Sequence, residues 1–77
     1  MKSDYSLDCL GLYCPLPIVK TAEKFKELKM GEVLEVVADD KGIKEDITAW
    51  CKVTGHECLG IEEERGEIRV YVRKTHE

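Results

Sequence analysis

Two prolines limit the fold of this chain more than any other feature. Pro15 and Pro17 are its only prolines, and they follow Cys14 directly. Proline has no backbone N–H and is tolerated in an α-helix only in the first turn, where the N–H groups have no partner within the helix. Pro15 suits the first helical position, at which proline is over-represented. We therefore predict a helix that begins just after Cys14, with this cysteine at or beside the helix N-cap.

Strand and helix patterns lie on either side of these prolines. Residues 5–9 predict a first strand with Leu7 and Cys9 on one face, and Gly11 ends it. Behind the prolines, apolar residues recur at helical spacing. They are Ile18, Ala22, Phe25 and Leu28. Gly31 is placed to cap the C-terminus of this first helix.

The middle of the chain predicts a second strand and a second helix. Residues 32–38 are few and rich in β-branched side chains, which favours a buried strand. Asp39 or Asp40 can cap the helix that follows. That helix stops near Gly55 and carries an apolar face. The members of the face are Ile43, Ile47, Trp50 and Cys51.

The last part of the chain predicts a hairpin. Residues 57–63 form a third strand with Leu59 and Ile61 pointing the same way, and residues 65–66 form a tight turn. Residues 67–74 return as a fourth strand. Its inward side chains are Ile68, Val70 and Val72, and its outward ones are Arg69, Tyr71 and Arg73.

The element order β-α-β-α-β-β predicts an α/β (α+β) two-layer sandwich. Strands that alternate with amphipathic helices and end in a hairpin are expected to form a four-stranded mixed sheet with two helices packed on one face. A chain of 77 residues is about half the usual domain size. We therefore expect one domain over residues 1–77.

Charge and hydropathy disfavour several classes of function. The net charge of −4 has the wrong sign for neutralising phosphates, so direct nucleic-acid binding is not expected. No run approaches the roughly 18 apolar residues that a membrane span needs, and the first residues contain no apolar signal-peptide core. We expect a cytoplasmic location, in which the four cysteines are free thiols.

Cys14 is the residue with the clearest chemical potential. The first turn of a helix presents unpaired N–H groups and the positive end of the macrodipole, and both favour a thiolate over a thiol. The thiolate is the nucleophilic form of cysteine. The alternative is that Cys14 only occupies a cap-like position, although cysteine is a poor cap compared with Ser, Thr, Asp or Asn.

The remaining cysteines and histidines have simpler interpretations. Cys9 is either a second thiol that pairs with Cys14 or a small core hydrophobe. Cys51 and Cys58 are expected in the core, and their spacing is longer than that of a usual zinc knuckle, so no metal site is predicted. The remaining two candidates are histidines: His56 is expected as an exposed loop residue and His76 in a frayed tail.

The run LDCLGLYCPLPIV, residues 7–19, resembles the signature of the TusA (SirA-like) sulfur-carrier family, with its Cys-Pro-x-Pro motif. The resemblance continues through Met30-Gly31-Glu32, Ala38-Asp39-Asp40, Cys51 and Gly55-His56-Glu57. It therefore covers essentially the whole chain. The fold that it implies is the same two-layer sandwich.

The resemblance implies a sulfur carrier that works with partner enzymes and holds no cofactor. The motif cysteine, Cys14, accepts a sulfane sulfur as a persulfide from a cysteine desulfurase or a rhodanese-like protein. It then passes the sulfur to an acceptor protein, in tRNA thiolation, molybdenum-cofactor supply or sulfur metabolism. Gly11, Pro15 and Pro17 support the motif. Tyr13 stands where many family members have a basic residue, so one charge that would lower the thiol pKa is missing.

Charged residues near the motif are candidates for partner contacts. Lys20 and Lys24 share the first helix with Cys14 and can orient an acidic donor or acceptor protein. For Asp39 and Asp40, helix capping is the first explanation, and the family resemblance implies a partner contact as the second. Two alternative functions remain open: a thiol–disulfide redox module that uses Cys9 and Cys14, and a regulatory or interaction domain with an inert cysteine.

Overall fold

A four-stranded sheet carries both helices on one of its faces. The computed structural model describes residues 2–76. In chain order the elements are β1 (Tyr5–Cys9), α1 (Leu16–Phe25), β2 (Val33–Ala38), α2 (Ile43–Thr54), β3 (Glu57–Glu64) and β4 (Glu67–Arg73). The sheet order is β1-β2-β4-β3; β1 and β2 are parallel, and the other two pairs are antiparallel. The predicted two-layer fold is confirmed.

The core lies between this sheet and the helices. Leu34 and Val36 of β2 are paired with Val72 and Val70 of β4, and all four side chains are fully buried on the helix side. The helices contribute Phe25, Ile43 and Ile47. Burying one such aliphatic side chain contributes about 1.5–3 kcal/mol. Within residues 2–76, no helix is long and apolar enough to cross a membrane.

The first helix ends earlier than predicted. Its last residue is Phe25, and Leu28 is buried in a following turn rather than in the helix. The ammonium group of Lys74 donates hydrogen bonds to the carbonyl oxygens of Phe25 (2.8 Å) and Leu28 (2.7 Å). Both carbonyls therefore bind a side chain that directly follows β4, and the carbonyl of Phe25 also accepts the N–H of Leu28 (3.2 Å). Gly31, at φ +91°, lies in the later turn before β2.

Removal of the Lys74 ammonium should destabilise the fold. Lys74 is only 7% exposed, so Lys74→Met leaves two carbonyl oxygens without their charged donor. We expect a loss of about 1–3 kcal/mol in the free energy of unfolding, measured by urea denaturation. Lys26→Met, at an exposed position just after α1, is the control and should change it by less than about 0.5 kcal/mol. An equal loss of unfolding free energy in both variants would show that the two hydrogen bonds of Lys74 do not stabilise the fold.

The second helix is not capped by an aspartate side chain. Its N-cap residue is Gly42, which has no side chain to accept the N–H groups of the first turn. Asp40 accepts the N–H of Gly42 itself (3.0 Å), which lies before the first helical residue. At the other end Gly55 adopts the left-handed conformation, φ +84°, as the predicted helix stop requires.

The hairpin agrees with the prediction at its turn and differs inside β3. Arg65 and Gly66 both have positive φ, 53° and 82°, which is the conformation of a two-residue hairpin turn. A bulge between Cys58 and Gly60 changes the strand register. Because of this extra residue, the side chains of β3 do not alternate regularly between the two faces of the sheet. Cys58 rather than Leu59 packs against the core.

Tyr71 lies on the predicted outer face of β4 but is only 2% exposed. It is paired with Glu35 of β2 and with Gly60 of β3. The hydroxyl group lies 2.9 Å from Glu35 Oε2 and 3.1 Å from Glu62 Oε1. Burial, followed by these two carboxylates, raises the pKa of Tyr71 to about 12. On the outer face of the sheet, the buried Tyr71 ring is therefore anchored through its hydroxyl group to carboxylates of β2 and β3.

Candidate functional site

Two carboxylates at the end of β2 hold the loop that carries Cys14. The N–H of Gly11 donates to Asp39 Oδ1 (3.1 Å), and the N–H of Cys14 donates to Asp40 Oδ2 (3.2 Å). Gly11 has a φ of +79°, a conformation that glycine adopts without strain. Asp39 and Asp40 thus fix the backbone on both sides of the loop. Whether they also contact a partner stays a prediction.

The helix start differs by one residue from the predicted one. The first helical residue is Leu16, Pro15 occupies the N-cap position, and Pro17 lies in the first turn. Cys14 therefore precedes the N-cap, and its peptide bond to Pro15 is cis.

The first turn of α1 directs no free N–H group toward the sulfur. Pro17 has no N–H, and the N–H of Leu16 donates to the carbonyl of Tyr13 (2.8 Å). Those of Ile18 and Val19 both donate to the carbonyl of Pro15 (3.1 Å each). All four N–H positions of the turn are therefore accounted for. The expectation that unpaired N–H groups of this turn stabilise a thiolate is wrong for this loop conformation.

The thiol of Cys14 faces a carboxylate instead. It is exposed, and Asp46 lies in the first turn of α2, beside the groove into which Cys14 opens. Hydrogen bonding to Asp46 is the largest of the causes that raise the pKa of Cys14; slight burial and the negative charges of Asp46 and Asp40 add to it. The predicted lowering of the thiol pKa is thus reversed, because carboxylates favour the neutral thiol.

A shallow groove of about 350 Å³ opens beside the sulfur. It lies between the start of α1 and one face of α2. Its lining residues are Cys14, Pro15, Ile18, Asp46, Ala49, Trp50 and Val53. Val53 is 86% exposed, so part of the groove wall is an apolar surface that no other part of residues 2–76 covers.

Asp46 and this groove were not identified from the sequence, although a signal was present. Positions 46, 49, 50 and 53 follow the i, i+3, i+4, i+7 spacing of one helix face. This face lies beside the core face at 43, 47 and 51. The apolar surface of α2 is therefore wider than the core needs, which is typical of a helix with an additional contact surface.

The other three cysteines occupy different environments from Cys14. Cys9 is fully buried in the core, and burial is the main cause that raises the pKa of its thiol. Cys51 is buried on α2, where burial raises its thiol pKa to about 11, and Cys58 packs partly buried against the core. The core positions predicted for Cys51 and Cys58 are confirmed. The burial of Cys9 agrees with the prediction that it is a small core hydrophobe. To pair with Cys14 as a second thiol, it would have to leave the interior.

These environments predict selective labelling. In the native protein, iodoacetamide should modify Cys14 first, because its thiol is exposed and the Cys9 and Cys51 thiols are buried. Buried thiols react only after local or global opening, which protects them by roughly 10³-fold or more. Mass spectrometry of the native protein should therefore show modification of Cys14 before that of Cys9 and Cys51, with partly buried Cys58 between them, and four adducts after denaturation. Fast native labelling of Cys9 would contradict this structure.

The two histidines are more ordered than predicted. His56 lies in the loop between α2 and β3, as expected, but it is half-buried against the rings of Phe25 (4.7 Å between centroids) and Trp50 (5.5 Å). Burial and the neighbouring His76 lower its pKa. His76 stacks on His56 at 4.4 Å, so it is packed rather than frayed.

The two lysines proposed for partner contacts differ in their surroundings. Lys20 is exposed on α1. Lys24 is half-buried, with its ammonium 3.5 Å from Glu27 Oε1 and 5.2 Å from the centre of the Tyr5 ring. Lys20 is thus the more accessible of the two, and a partner contact at either position stays a prediction.

Comparison with known proteins identifies the family. The family described as Sulfurtransferase TusA matches residues 5–74, nearly the whole chain. The chain belongs to this family. Cys14, the motif cysteine of the resemblance, is exposed and lies beside the groove, and its role in the family's chemistry stays a prediction.

Relatives from several bacteria support this assignment. YrkF of Bacillus subtilis is 54% identical over 74 residues, which cover 96% of this chain but 40% of YrkF. The chain thus spans less than half of that relative. The sulfur carrier protein TusA of Pseudomonas entomophila is 41% identical, with 92% of this chain and 89% of that protein covered. A solved structure, the SirA-like protein of Desulfitobacterium hafniense, shares the fold with a TM-score of 0.81 at 23% identity, covering 94% and 99% of the two chains.

Proposed function

We propose that this TusA-family chain is a sulfur carrier that accepts sulfane sulfur as a persulfide on Cys14. The donor is a cysteine desulfurase or a rhodanese-like protein, and an acceptor protein receives the sulfur. The observation that carries the proposal is the contrast between the cysteines: the family motif cysteine is exposed beside an open groove, and Cys9 and Cys51 are buried. A partner can reach this sulfur without any opening of the fold.

The surroundings of Cys14 suit transfer between proteins. The groove is shallow, and exposed apolar side chains flank the sulfur loop, with Tyr13 at 74% and Leu16 at 47% exposure. Apolar surface of this kind on a small protein is typical of a site that another protein covers. Acceptors in tRNA thiolation, molybdenum-cofactor supply and sulfur metabolism are the candidates that the family suggests.

The test is direct loading of the protein with sulfur. The reduced protein is incubated with a cysteine desulfurase and cysteine, or with a rhodanese and thiosulfate, and is then weighed intact. We expect a mass gain of one sulfur atom that is lost on reduction by dithiothreitol. No adduct with either donor system would reject the proposal.

A further inference from the structure

The groove beside Cys14 combines apolar walls with one charged group. Ile18, Ala49, Trp50 and Val53 provide the apolar walls, and Asp46 is the only charged residue among the described residues that line it. An apolar channel that ends at a carboxylate matches a side chain with an apolar stem and a cationic head. Lysine and arginine have this structure.

Asp46 has no cationic partner within residues 2–76. No ammonium or guanidinium group there lies at ion-pair distance from its carboxylate. The nearest lysine in sequence, Lys44, pairs with Glu63 instead. The groups that face the Cys14 thiol are the carboxylates of Asp46, from α2, and Asp40, from the loop before α2. Negative charge therefore accumulates at the end of the groove, next to the reactive sulfur.

We propose that the groove binds a lysine or arginine side chain of the sulfur-donor protein, whose cationic head pairs with Asp46 while its stem lies on Ile18 and Trp50. The proposal rests on the proposed function and identifies the chemistry of the donor surface. A guanidinium or ammonium group beside the Trp50 ring gains a further cation–π attraction. Charge complementarity of this kind acts on both the rate and the orientation of docking.

Such an ion pair also activates the thiol. In the free protein hydrogen bonding to Asp46 raises the pKa of Cys14 and so favours the protonated form. A cation bound to Asp46 competes for that carboxylate and adds a positive charge near the sulfur. Both changes favour the thiolate, so Cys14 becomes nucleophilic when a donor is docked.

The transfer step is balanced without an external oxidant. The Cys14 thiolate attacks the outer sulfur of the donor persulfide, and a new S–S bond forms as the S–S bond of the donor breaks. The donor cysteine leaves as a thiolate and takes up a proton, which replaces the one that Cys14 released. Cys14 then carries the sulfane sulfur, and no net oxidation has occurred.

The first test uses a small cation and needs no donor protein. N-Butylguanidinium has the stem and head of an arginine side chain, and N-butylurea is its neutral counterpart. At constant ionic strength and neutral pH, millimolar butylguanidinium should increase the rate of Cys14 alkylation by iodoacetamide several-fold. Butylurea should leave the rate unchanged. Equal rates with both compounds would overturn the proposal, whether or not any donor loads the protein with sulfur.

The second test removes the carboxylate. Asp46→Asn should lower the pH midpoint of Cys14 alkylation and raise its rate at neutral pH, because one negative charge beside the thiol is lost. It should also abolish the response to butylguanidinium. Glu45→Gln is the matched control, because Glu45 lies in the same helical turn, is exposed and does not line the groove. In this variant the alkylation of Cys14 and its response to butylguanidinium should stay as in the wild type.

A donor that loads the wild type provides the third readout. Asp46→Asn should raise the KM for that donor about tenfold, with kcat equal or higher, because docking is weakened while the thiol is more often ionised. High salt should raise the wild-type KM toward that of the variant. An unchanged KM in Asp46→Asn would overturn the docking proposal while leaving the carrier function intact.

Discussion

Cys14→Ser is expected to abolish sulfur loading and to leave the fold unchanged. The side chain is exposed and contributes nothing to the core, and the N–H of residue 14 still donates to Asp40 in the variant. Substitutions at such positions change the free energy of unfolding by about 0.5 kcal/mol or less. A serine hydroxyl cannot hold a persulfide under these conditions. Intact mass after incubation with a loading donor should therefore show no added sulfur.

Cys9→Ala is the control that separates the carrier from the redox alternative. Cys9 is fully buried, so its replacement should cost some stability but should not affect loading of Cys14. Loading of Cys9→Ala at the wild-type rate supports a carrier with one working cysteine. A folded Cys9→Ala protein that no longer accepts sulfur would instead indicate that the two thiols act together. Sulfur gained by Cys14→Ser would place the site on another residue.

The parts of the fold predicted most accurately are those determined by local pattern. The predicted limits of β1 agree with the structure, and β2 and β4 differ by one residue at one end. In these strands the buried side chains alternate or form a short β-branched run, and one face meets the helices. The turn at Arg65–Gly66 was also predictable, because few residue pairs adopt two positive φ angles readily.

The errors come from contacts between residues far apart in sequence. The end of α1 depends on Lys74, which is 49 residues from Phe25. Asp39 and Asp40 have the composition of helix caps, yet their oxygens bind Gly11 and Cys14, which lie 28 and 26 residues away. Both an aspartate cap and an aspartate that holds a distant loop have the same sequence pattern. Only the packing of β1 beside β2 distinguishes them.

Contacts between residues far apart in sequence also determine the part of the candidate site that was not predicted. The position of Cys14 before a helix was predictable from the two prolines, and its exposure agrees with a functional thiol. The electrostatic surroundings were not predictable, because Asp46 reaches the sulfur only through the packing of α2 beside α1. Pro17 also removes one N–H group from the first turn, and the other three are bonded to carbonyl groups, so the helix start does not form the predicted anion site.

Asp46 and Asp40 act differently on the unloaded carrier and on the carrier that holds a persulfide. Asp46 acts on the thiol of the unloaded form and raises its pKa. In a persulfide the terminal sulfur lies about 2 Å farther along the S–S bond, beyond the atom that Asp46 contacts. Asp40 acts on the backbone through the N–H of Cys14, and this contact does not depend on what the sulfur carries. Asp40 is thus suited to hold the loop throughout the transfer cycle.

Asp40→Ala should reduce sulfur loading by about 10²-fold, since small displacements of a reacting group have effects of this size. The variant loses the acceptor for the N–H groups of Cys14 and Gly42. Unfolding free energy should fall by about 0.5–1.5 kcal/mol, and the Cys14 amide should exchange faster with solvent. The loading rate is measured with the donor that loads the wild type. Alkylation by iodoacetamide should not slow, because loss of a nearby carboxylate lowers the Cys14 pKa.

Asp40→Asn distinguishes the structural role of this residue from a direct charge contact with a partner. Asparagine retains a side-chain oxygen of the same reach, which can still accept the N–H of Cys14, but it carries no charge. If Asp40 acts by holding the loop, Asp40→Asn should keep most of the loading rate and most of the amide protection that Asp40→Ala loses. If both variants lose loading equally while Asp40→Asn retains amide protection, the charge itself is required. Asp40 would then act on the partner rather than on the loop, as the family resemblance implies.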